Sequence, residues 1–139
     1  MLNIGIIGFG KMGQIRSHAL KSSGKAKIKL VYDENEIQKP IDYNVEKNID
    51  KIIYDPEIDA IFICTPNYLN KPLTIQALEA GKHVFCEKPP AFNSREVEEI
   101  ISVEKKSGKI LMYGFNHRHH DSIRHMKNLI DSKEYGKVL

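Results

Sequence analysis

Short apolar runs alternate along the chain with longer stretches in which apolar residues recur every three or four positions. The first pattern is typical of buried strands and the second of amphipathic helices. The run Asp59–Cys64 is almost continuously apolar, as expected for a strand buried on both faces of a parallel sheet. We predict strands at Ile4–Ile7, Lys27–Tyr32, Tyr43–Val45, Asp59–Cys64, His83–Cys86 and Ile110–Tyr113.

Helices are predicted between most of these strands. Asn93, followed by Glu96 three residues later, resembles a capping box and marks one helix start. The polar stretch 34–42 carries Pro40 and is too short for a full crossover helix, so we expect that helix to be abbreviated or absent. The predicted helices cover Lys11–Ser22, Lys47–Tyr54, Lys71–Ala80, Asn93–Ser107 and Ser122–Ser132.

This alternation predicts an α/β fold, namely a doubly wound, mostly parallel Rossmann sheet with helices on both faces. We expect right-handed crossovers and the strand order 3-2-1-4-5-6. The 139 residues are enough for one domain, and 41% hydrophobic with 28% charged residues fits a globular core. The net charge of +3 is small and scattered, and no apolar run is long enough for a bilayer. We therefore expect neither nucleic acid nor a membrane as a partner.

The two cysteines, Cys64 and Cys86, lie in apolar runs and form no C-x-x-C pair. We expect buried, reduced thiols, which favours a cytoplasmic protein. The N-terminus also lacks the basic region and the cleavage site of a signal peptide.

A glycine-rich turn follows the first predicted strand and opens the first predicted helix. Gly8 permits the tight turn, Gly10 lets a pyrophosphate approach the backbone, and Gly13 lets the helix pack against the strand. The helix N-terminus offers N–H groups and a partial positive charge to phosphates. A dinucleotide site is favoured over a ligand-free turn because strand, helix and a later acid all fit. The predicted phosphate-binding residues are Gly8, Phe9, Gly10, Lys11, Met12 and Gly13.

The later acid is Asp33, which ends the second predicted strand 20 residues after Gly13. A carboxylate there can accept hydrogen bonds from the ribose hydroxyls of the adenosine, although Asp33 could also only cap a turn. Glu34 follows directly, and the two carboxylates together repel a 2′-phosphate. We therefore predict NAD as the cofactor, in preference to NADP.

Further motifs resemble one known family. They are Cys64-Thr65-Pro66-Asn67 after the fourth strand, Ala80–Val84 leading into Glu87-Lys88-Pro89, and Gly114–Arg118 after the sixth strand. Together with the glycine turn and Asp33, they follow one another in the order found in the glucose–fructose oxidoreductase, inositol dehydrogenase and rhizopine-catabolism (Gfo/Idh/MocA) family. The resemblance covers nearly the whole chain and is to the N-terminal, dinucleotide-binding domain.

The resemblance implies an oxidoreductase that moves a hydride between nicotinamide and a sugar, a sugar derivative, an inositol or a similar small molecule. It implies that the segment Cys64–Asn67 lines the nicotinamide and its ribose, and that Glu87 helps to hold a cofactor ribose. It implies that Lys88 reaches the reacting hydroxyl or the nicotinamide, where an ammonium can stabilise an alkoxide and relay a proton. The resemblance also implies that Asn116 and Arg118 contact the cofactor, in the cleft that Lys88 faces.

Two smaller predictions concern this region. A cis Lys88–Pro89 peptide bond could aim Lys88 into the cleft. The cluster of His117, His119, His120 and His125 has neither compact zinc spacing nor a cysteine, so we predict no metal site.

We divide the chain into a dinucleotide-binding domain at 1–120, followed at 121–139 by a helix and the start of a second domain. In the family, the second domain supplies much of the substrate pocket, the acid/base residues and the subunit interface. We therefore expect the whole protein to be a homo-oligomer, whereas the 139-residue piece binds NAD with little or no turnover and is monomeric or pairs artificially. An excised piece and a split or truncated gene both fit this expectation.

Two alternative functions stay open at this stage. The chain could be a non-catalytic NAD-binding module that senses the cofactor or scaffolds a partner. It could also belong to a biliverdin-reductase-like or dihydrodiol-dehydrogenase-like oxidoreductase, because these relatives share the same N-terminal motifs.

Overall fold

Six parallel strands form one sheet in the order β3-β2-β1-β4-β5-β6, which confirms the predicted α/β class and strand order. The computed structural model describes residues 1–37 and 42–137. The strands are β1 (Leu2–Ile7), β2 (Ala26–Tyr32), β3 (Asn44–Val45), β4 (Ala60–Ile63), β5 (His83–Cys86) and β6 (Leu111–Tyr113). Because all strands are parallel, their carboxyl ends meet at one edge of the sheet.

The α-helices are α1 (Lys11–Ser23), α2 (Ile49–Ile53), α3 (Asn67–Glu79), α4 (Ser94–Ser107) and α5 (Asp121–Ser132), with a 3-10 turn, η1, at Asn116–His119. Asn93 caps α4 as predicted, since its Oδ1 accepts from the Glu96 N–H at 3.0 Å. Gly24 and Gly108 follow α1 and α4 in the left-handed conformation, which ends both helices. No helix lies in 34–37 or at Asp42, the described parts of the stretch predicted to lack a full crossover helix; Pro40 falls outside the described residues.

Helix α3 differs from its prediction, because it begins at Asn67 rather than at Lys71. Pro66 occupies the N-cap position and Pro72 lies inside the helix. Pro72 removes only its own hydrogen bond to the carbonyl four residues earlier, so the first turn can form before it. The earlier start puts Asn70 on the buried side of the helix, which affects the candidate site.

Both faces of the sheet carry helices, as predicted. Helices α2, α3 and α4 cover one face through a core that includes Ile52, Ile61 and Leu78, each at most 1% exposed. Helix α1 covers part of the opposite face above β1 and β2, with Ile6 and Val31 fully buried beneath it. Helix α5 lies apart from both layers, and its apolar residues Ile123, Met126, Leu129 and Ile130 are all exposed.

Candidate cofactor site

Backbone hydrogen bonds continue past the ends of the strands and align the segments that follow them. The N–H of Gly8 donates to the Tyr32 carbonyl at 2.8 Å, and that of Glu87 donates to the Ile63 carbonyl at 2.9 Å. In the same way, the N–H of Gly114 donates to the Cys86 carbonyl at 2.9 Å. The glycine turn (Gly8–Gly13), the segment Cys64–Asn67, the Lys88 loop (Glu87–Pro90) and η1 therefore lie side by side at the carboxyl edge.

Close backbone packing explains two of the three glycines in the turn. Gly8 has a φ of +89°, and a Cβ there would lie 2.5 Å from the Cys64 carbonyl oxygen. A Cβ at Gly13 would lie 2.1 Å from the Gly8 carbonyl oxygen, so this glycine lets α1 start directly against β1, as predicted. A Cβ at Gly10 would have no atom within 4 Å, which leaves an open surface beside the turn.

The start of α1 suits an anion. Its N-cap is Gly10, which has no side chain to cap the first amides, and its first turn contains no acidic residue. The amides at this end therefore combine with the partial positive charge of the helix, which favours a phosphate group. The open surface above Gly10 leaves room for it, so the residues present fit the pyrophosphate of a dinucleotide.

Asp33 lies beside the turn, at the end of β2, as the sequence predicts. Its Oδ2 accepts from the Phe9 N–H at 2.7 Å, and its Oδ1 accepts from the Asn35 N–H at 2.9 Å. The carboxylate thus fixes the glycine turn from the side. Glu34 next to it is exposed.

The carboxylate of Glu87 is buried and paired with Arg16 of α1. The Arg16 Nε donates to Glu87 Oε1 at 2.7 Å, and Glu87 is 7% exposed. Arg16 also donates through Nη2 to Asn116 Oδ1 at 3.1 Å, and its guanidinium lies 4.8 Å from the centre of the Phe85 ring. A Cβ at Gly114 would lie 2.8 Å from Glu87 Oε2, so this glycine makes room for the pair.

This ion pair connects α1 with the Lys88 loop and with η1. The predicted contact between Glu87 and a cofactor ribose stays a prediction, since Arg16 holds the carboxylate here. Sequence reasoning missed Arg16. The available signal was its position midway between Met12 and Leu20, four residues from each, in a row of α1 that is partly buried, where a charge needs a partner.

The Lys88 loop carries the predicted cis Lys88–Pro89 bond. The side chain of Lys88 is exposed at the edge of the sheet, and those of Pro66 and Asn67 are exposed nearby at the start of α3. Thr65 points inward instead, since its Oγ1 donates to Asn70 Oδ1 at 3.3 Å. Arg118 is exposed in η1, beside Asn116.

Both thiols are poor nucleophiles. Burial raises the pKa of Cys64 and that of Cys86 to about 12, from an ordinary value of 9.0. Cys86 is fully buried, as predicted, whereas Cys64 is only partly buried. Within residues 1–37 and 42–137, no cluster of histidine, cysteine or acidic side chains is arranged to hold a metal ion.

The fold and the site together define a dinucleotide-binding Rossmann domain. The sequence profile of an oxidoreductase family with an NAD-binding Rossmann fold, Gfo/Idh/MocA, matches residues 2–115. The chain belongs to this family, and the part it represents is the NAD-binding domain. Within the described residues, no helix has both the length and the apolar character needed to cross a membrane.

Individual relatives agree with this assignment. The chain is 32% identical to myo-inositol 2-dehydrogenase of Thermotoga maritima, over 98% of this chain and 42% of the relative. It is 31% identical to glucose-6-phosphate 3-dehydrogenase of Bacillus subtilis, over 100% of this chain and 41% of the relative. The crystal structure of myo-inositol 2-dehydrogenase from Lactobacillus plantarum aligns with a TM-score of 0.88 and 30% identity, over 99% of this chain and 43% of that one. The chain thus spans about 40% of the length of the relatives it matches.

Proposed function

We propose that this chain is the cofactor-binding part of an oxidoreductase that acts on a sugar, a polyol or a related small hydroxy or carbonyl compound. The observation that carries the proposal is the position of the glycine turn and the Lys88 loop at one edge of the sheet. β4 alone lies between β1 and β5, so the two segments are about 10 Å apart, two strand spacings. A dinucleotide is long enough to contact both.

In this proposal, each segment binds a different part of the cofactor. Asp33 accepts from the ribose of the adenosine, the segment Cys64–Asn67 borders the nicotinamide and its ribose, and Asn116 and Arg118 border the same cleft. The pyrophosphate lies on the amides of Gly8–Gly13 at the start of α1. The bound nicotinamide supplies the chemistry, namely acceptance or donation of a hydride.

Lys88 is the proposed catalytic residue. Its exposed ammonium can donate a hydrogen bond to the reacting oxygen of a substrate. As an alcohol is oxidised, the ammonium stabilises the developing alkoxide. Once it has given a proton to water, its amine can accept the hydroxyl proton of the substrate. The dehydrogenase names of the two relatives above support this reaction class and a small polyhydroxylated substrate.

We propose that residues 1–120 form the domain, that 121–139 lead into a second one, and that the whole protein is a homo-oligomer. The boundary is supported by burial, because every described residue from Phe115 to Lys137 is exposed and α5 has its main contact with η1. In this proposal, the second domain forms the other side of the site, so the 139-residue chain alone excludes water from the site poorly. We therefore expect the 139-residue chain to bind NAD⁺ with little or no turnover.

We further propose that the cofactor is NAD rather than NADP. The carboxylate of Asp33 and the exposed carboxylate of Glu34 lie together after β2, where they would repel a 2′-phosphate. Calorimetric titration of the chain with NAD⁺ and, separately, with NADP⁺ tests this proposal. We expect tighter binding of NAD⁺, and tighter binding of NADP⁺ would contradict it.

Glu34→Gln provides a second arm of this test, because it removes one charge without touching the hydrogen bonds of Asp33. We expect this variant to bind NADP⁺ more tightly than the unsubstituted chain does, with little change for NAD⁺. The matched control is Glu36→Gln, which changes an exposed acid two residues further on.

A further inference from the structure

The side chain of Asn70 lies fully buried in α3, directly beneath the Lys88 loop. Its Nδ2 donates to the Glu87 carbonyl at 3.1 Å and to the Pro89 carbonyl at 2.8 Å. A primary amide has two N–H donors, and here each of them reaches a carbonyl. The two acceptors belong to the residues immediately before and after Lys88, so one side chain holds the backbone on both sides of that lysine.

The orientation of the amide is itself determined by its neighbours. Oδ1 of Asn70 accepts from the Thr65 hydroxyl at 3.3 Å. If the amide were turned over, its oxygen would face two carbonyl oxygens and its NH₂ group would face Thr65. The two carbonyl oxygens, which can only accept, therefore select the orientation in which both donors point at the loop, and the Thr65 hydroxyl donates to the other end of the amide.

We propose that Asn70 is a positioning residue, which fixes Lys88 relative to the segment Cys64–Asn67. This inference rests on the proposed function, since it gives Lys88 a place beside the cofactor. The chain of hydrogen bonds runs from Thr65 through Asn70 to the carbonyls of Glu87 and Pro89. It thereby connects the ends of β4 and β5, the two strands whose following segments would contain the nicotinamide between them.

Burial makes this connection rigid. The hydrogen bond to the Glu87 carbonyl is buried and the other two are partly buried, so solvent replaces them poorly and losing the Asn70 donors is costly. Lys88 itself is exposed, and its long side chain has many rotamers. Fixing its backbone therefore restricts where the ammonium can reach, although Asn70 never contacts the substrate.

The reactivity of Lys88 in the 139-residue chain provides a test that needs no turnover. The amine is acylated under limiting reagent, with and without saturating NAD⁺, and modification at each lysine is quantified by mass spectrometry. In the unsubstituted chain, we expect NAD⁺ to slow acylation of Lys88 by roughly ten-fold, because a nicotinamide bound beside the Lys88 loop would cover a positioned amine. Lys106, which lies at the far end of α4, should react at the same rate in both conditions.

Asn70→Asp keeps the shape of the side chain but removes both donors. We expect it to bind NAD⁺ with comparable affinity through the glycine turn, while the protection of Lys88 falls below about two-fold. The matched control is Gln76→Ala on the same helix, which removes an amide that donates to Asp50 Oδ1 at 2.8 Å, away from the loop. This control should retain full protection.

The possible outcomes separate the two proposals. Full protection of Lys88 in Asn70→Asp would overturn the positioning role. If NAD⁺ binds to the unsubstituted chain but does not protect Lys88, the proposed place of Lys88 fails, and the inference fails with it. If Asn70→Asp does not fold, Asn70→Ala carries the same test, since it removes both donors without adding a charge.

Discussion

The glycine turn and the Lys88 loop lie at the same edge of the sheet, but different interactions hold them in place. The turn is a backbone structure, in which Gly8 and Gly13 let main-chain atoms approach more closely than a Cβ would allow. The Lys88 loop is held by side chains from other elements, Arg16 of α1 through Glu87 and Asn70 of α3 through two carbonyls. The turn therefore depends on local sequence and the loop on distant partners.

This difference has a functional consequence. A phosphate needs N–H groups at a helix start, which a few adjacent residues can provide. A lysine that acts on a substrate must be held at a chosen distance from a second group, which requires contacts across the fold. The first three predictions below test this comparison.

Gly13→Ala should have the largest effect, because its methyl group would lie 2.1 Å from the Gly8 carbonyl oxygen. Backbone cannot move aside cheaply, so we expect a loss of about 3 kcal/mol or more in the free energy of unfolding. We also expect NAD⁺ binding to be lost. Urea denaturation and calorimetry measure the two effects.

Gly10→Ala is the matched comparison, since its methyl group would meet no protein atom within 4 Å. Stability should change by less than about 0.5 kcal/mol, while affinity for NAD⁺ falls, because the methyl group would occupy the surface proposed to hold the pyrophosphate. Unchanged affinity would show that the phosphate does not bind there.

Arg16→Met tests the contribution of the Arg16–Glu87 ion pair, which holds the Lys88 loop. It retains an apolar stem but leaves the buried carboxylate of Glu87 without its partner, for an expected loss of about 3 kcal/mol in the free energy of unfolding. The control is Lys21→Met on the same helix, whose ion pair with Asp42 is exposed, with 66% and 82% accessible side chains. That change should cost far less than Arg16→Met does, because solvent screens an exposed pair. Equal losses in the two variants would refute the special role of the Arg16–Glu87 pair.

A smaller effect should appear at alkaline pH. The pKa of Cys86 is about 12 in the folded chain and 9.0 ordinarily, so above pH 9.0 the unfolded chain releases a proton that the folded chain keeps. Stability from this group is therefore complete below pH 9.0 and is lost as the pH rises towards 12. At about pH 10, the loss should be about 1 kcal/mol.

Thermal unfolding at about pH 8 and about pH 10 measures this dependence. Cys86→Ala should show a smaller fall in Tm between the two conditions than the unsubstituted chain does. An identical fall in both proteins would mean that the thiol titrates normally in the folded state.

The sequence predicted the turn well because its requirements are local. The glycine spacing, the preceding strand and Asp33 all lie within one β-α-β unit, and no knowledge of distant contacts is needed. The Lys88 loop was recognised only through its resemblance to a family. Its supports were missed, because Arg16 and Glu87 are 71 residues apart.

Asn70 was missed for a different reason. With α3 predicted to start at Lys71, Asn70 falls in a loop, where a polar residue is ordinary. Once the helix starts at Asn67, Asn70 lies on the same side as Leu73, Thr74 and Ala77, all of them buried. A buried amide on that side needs hydrogen-bond partners, and it finds them in the carbonyls of Glu87 and Pro89 in the Lys88 loop. An error of four residues in a helix boundary therefore concealed a residue of the site.

The central claim is that the glycine turn and the Lys88 loop form one cofactor site. Titration of the 139-residue chain with NAD⁺, followed through the backbone amide resonances of residues 8–13 and of Lys88, tests it most directly. We expect both sets of resonances to shift along the same saturation curve. Shifts in the turn that saturate while Lys88 stays unchanged would contradict it.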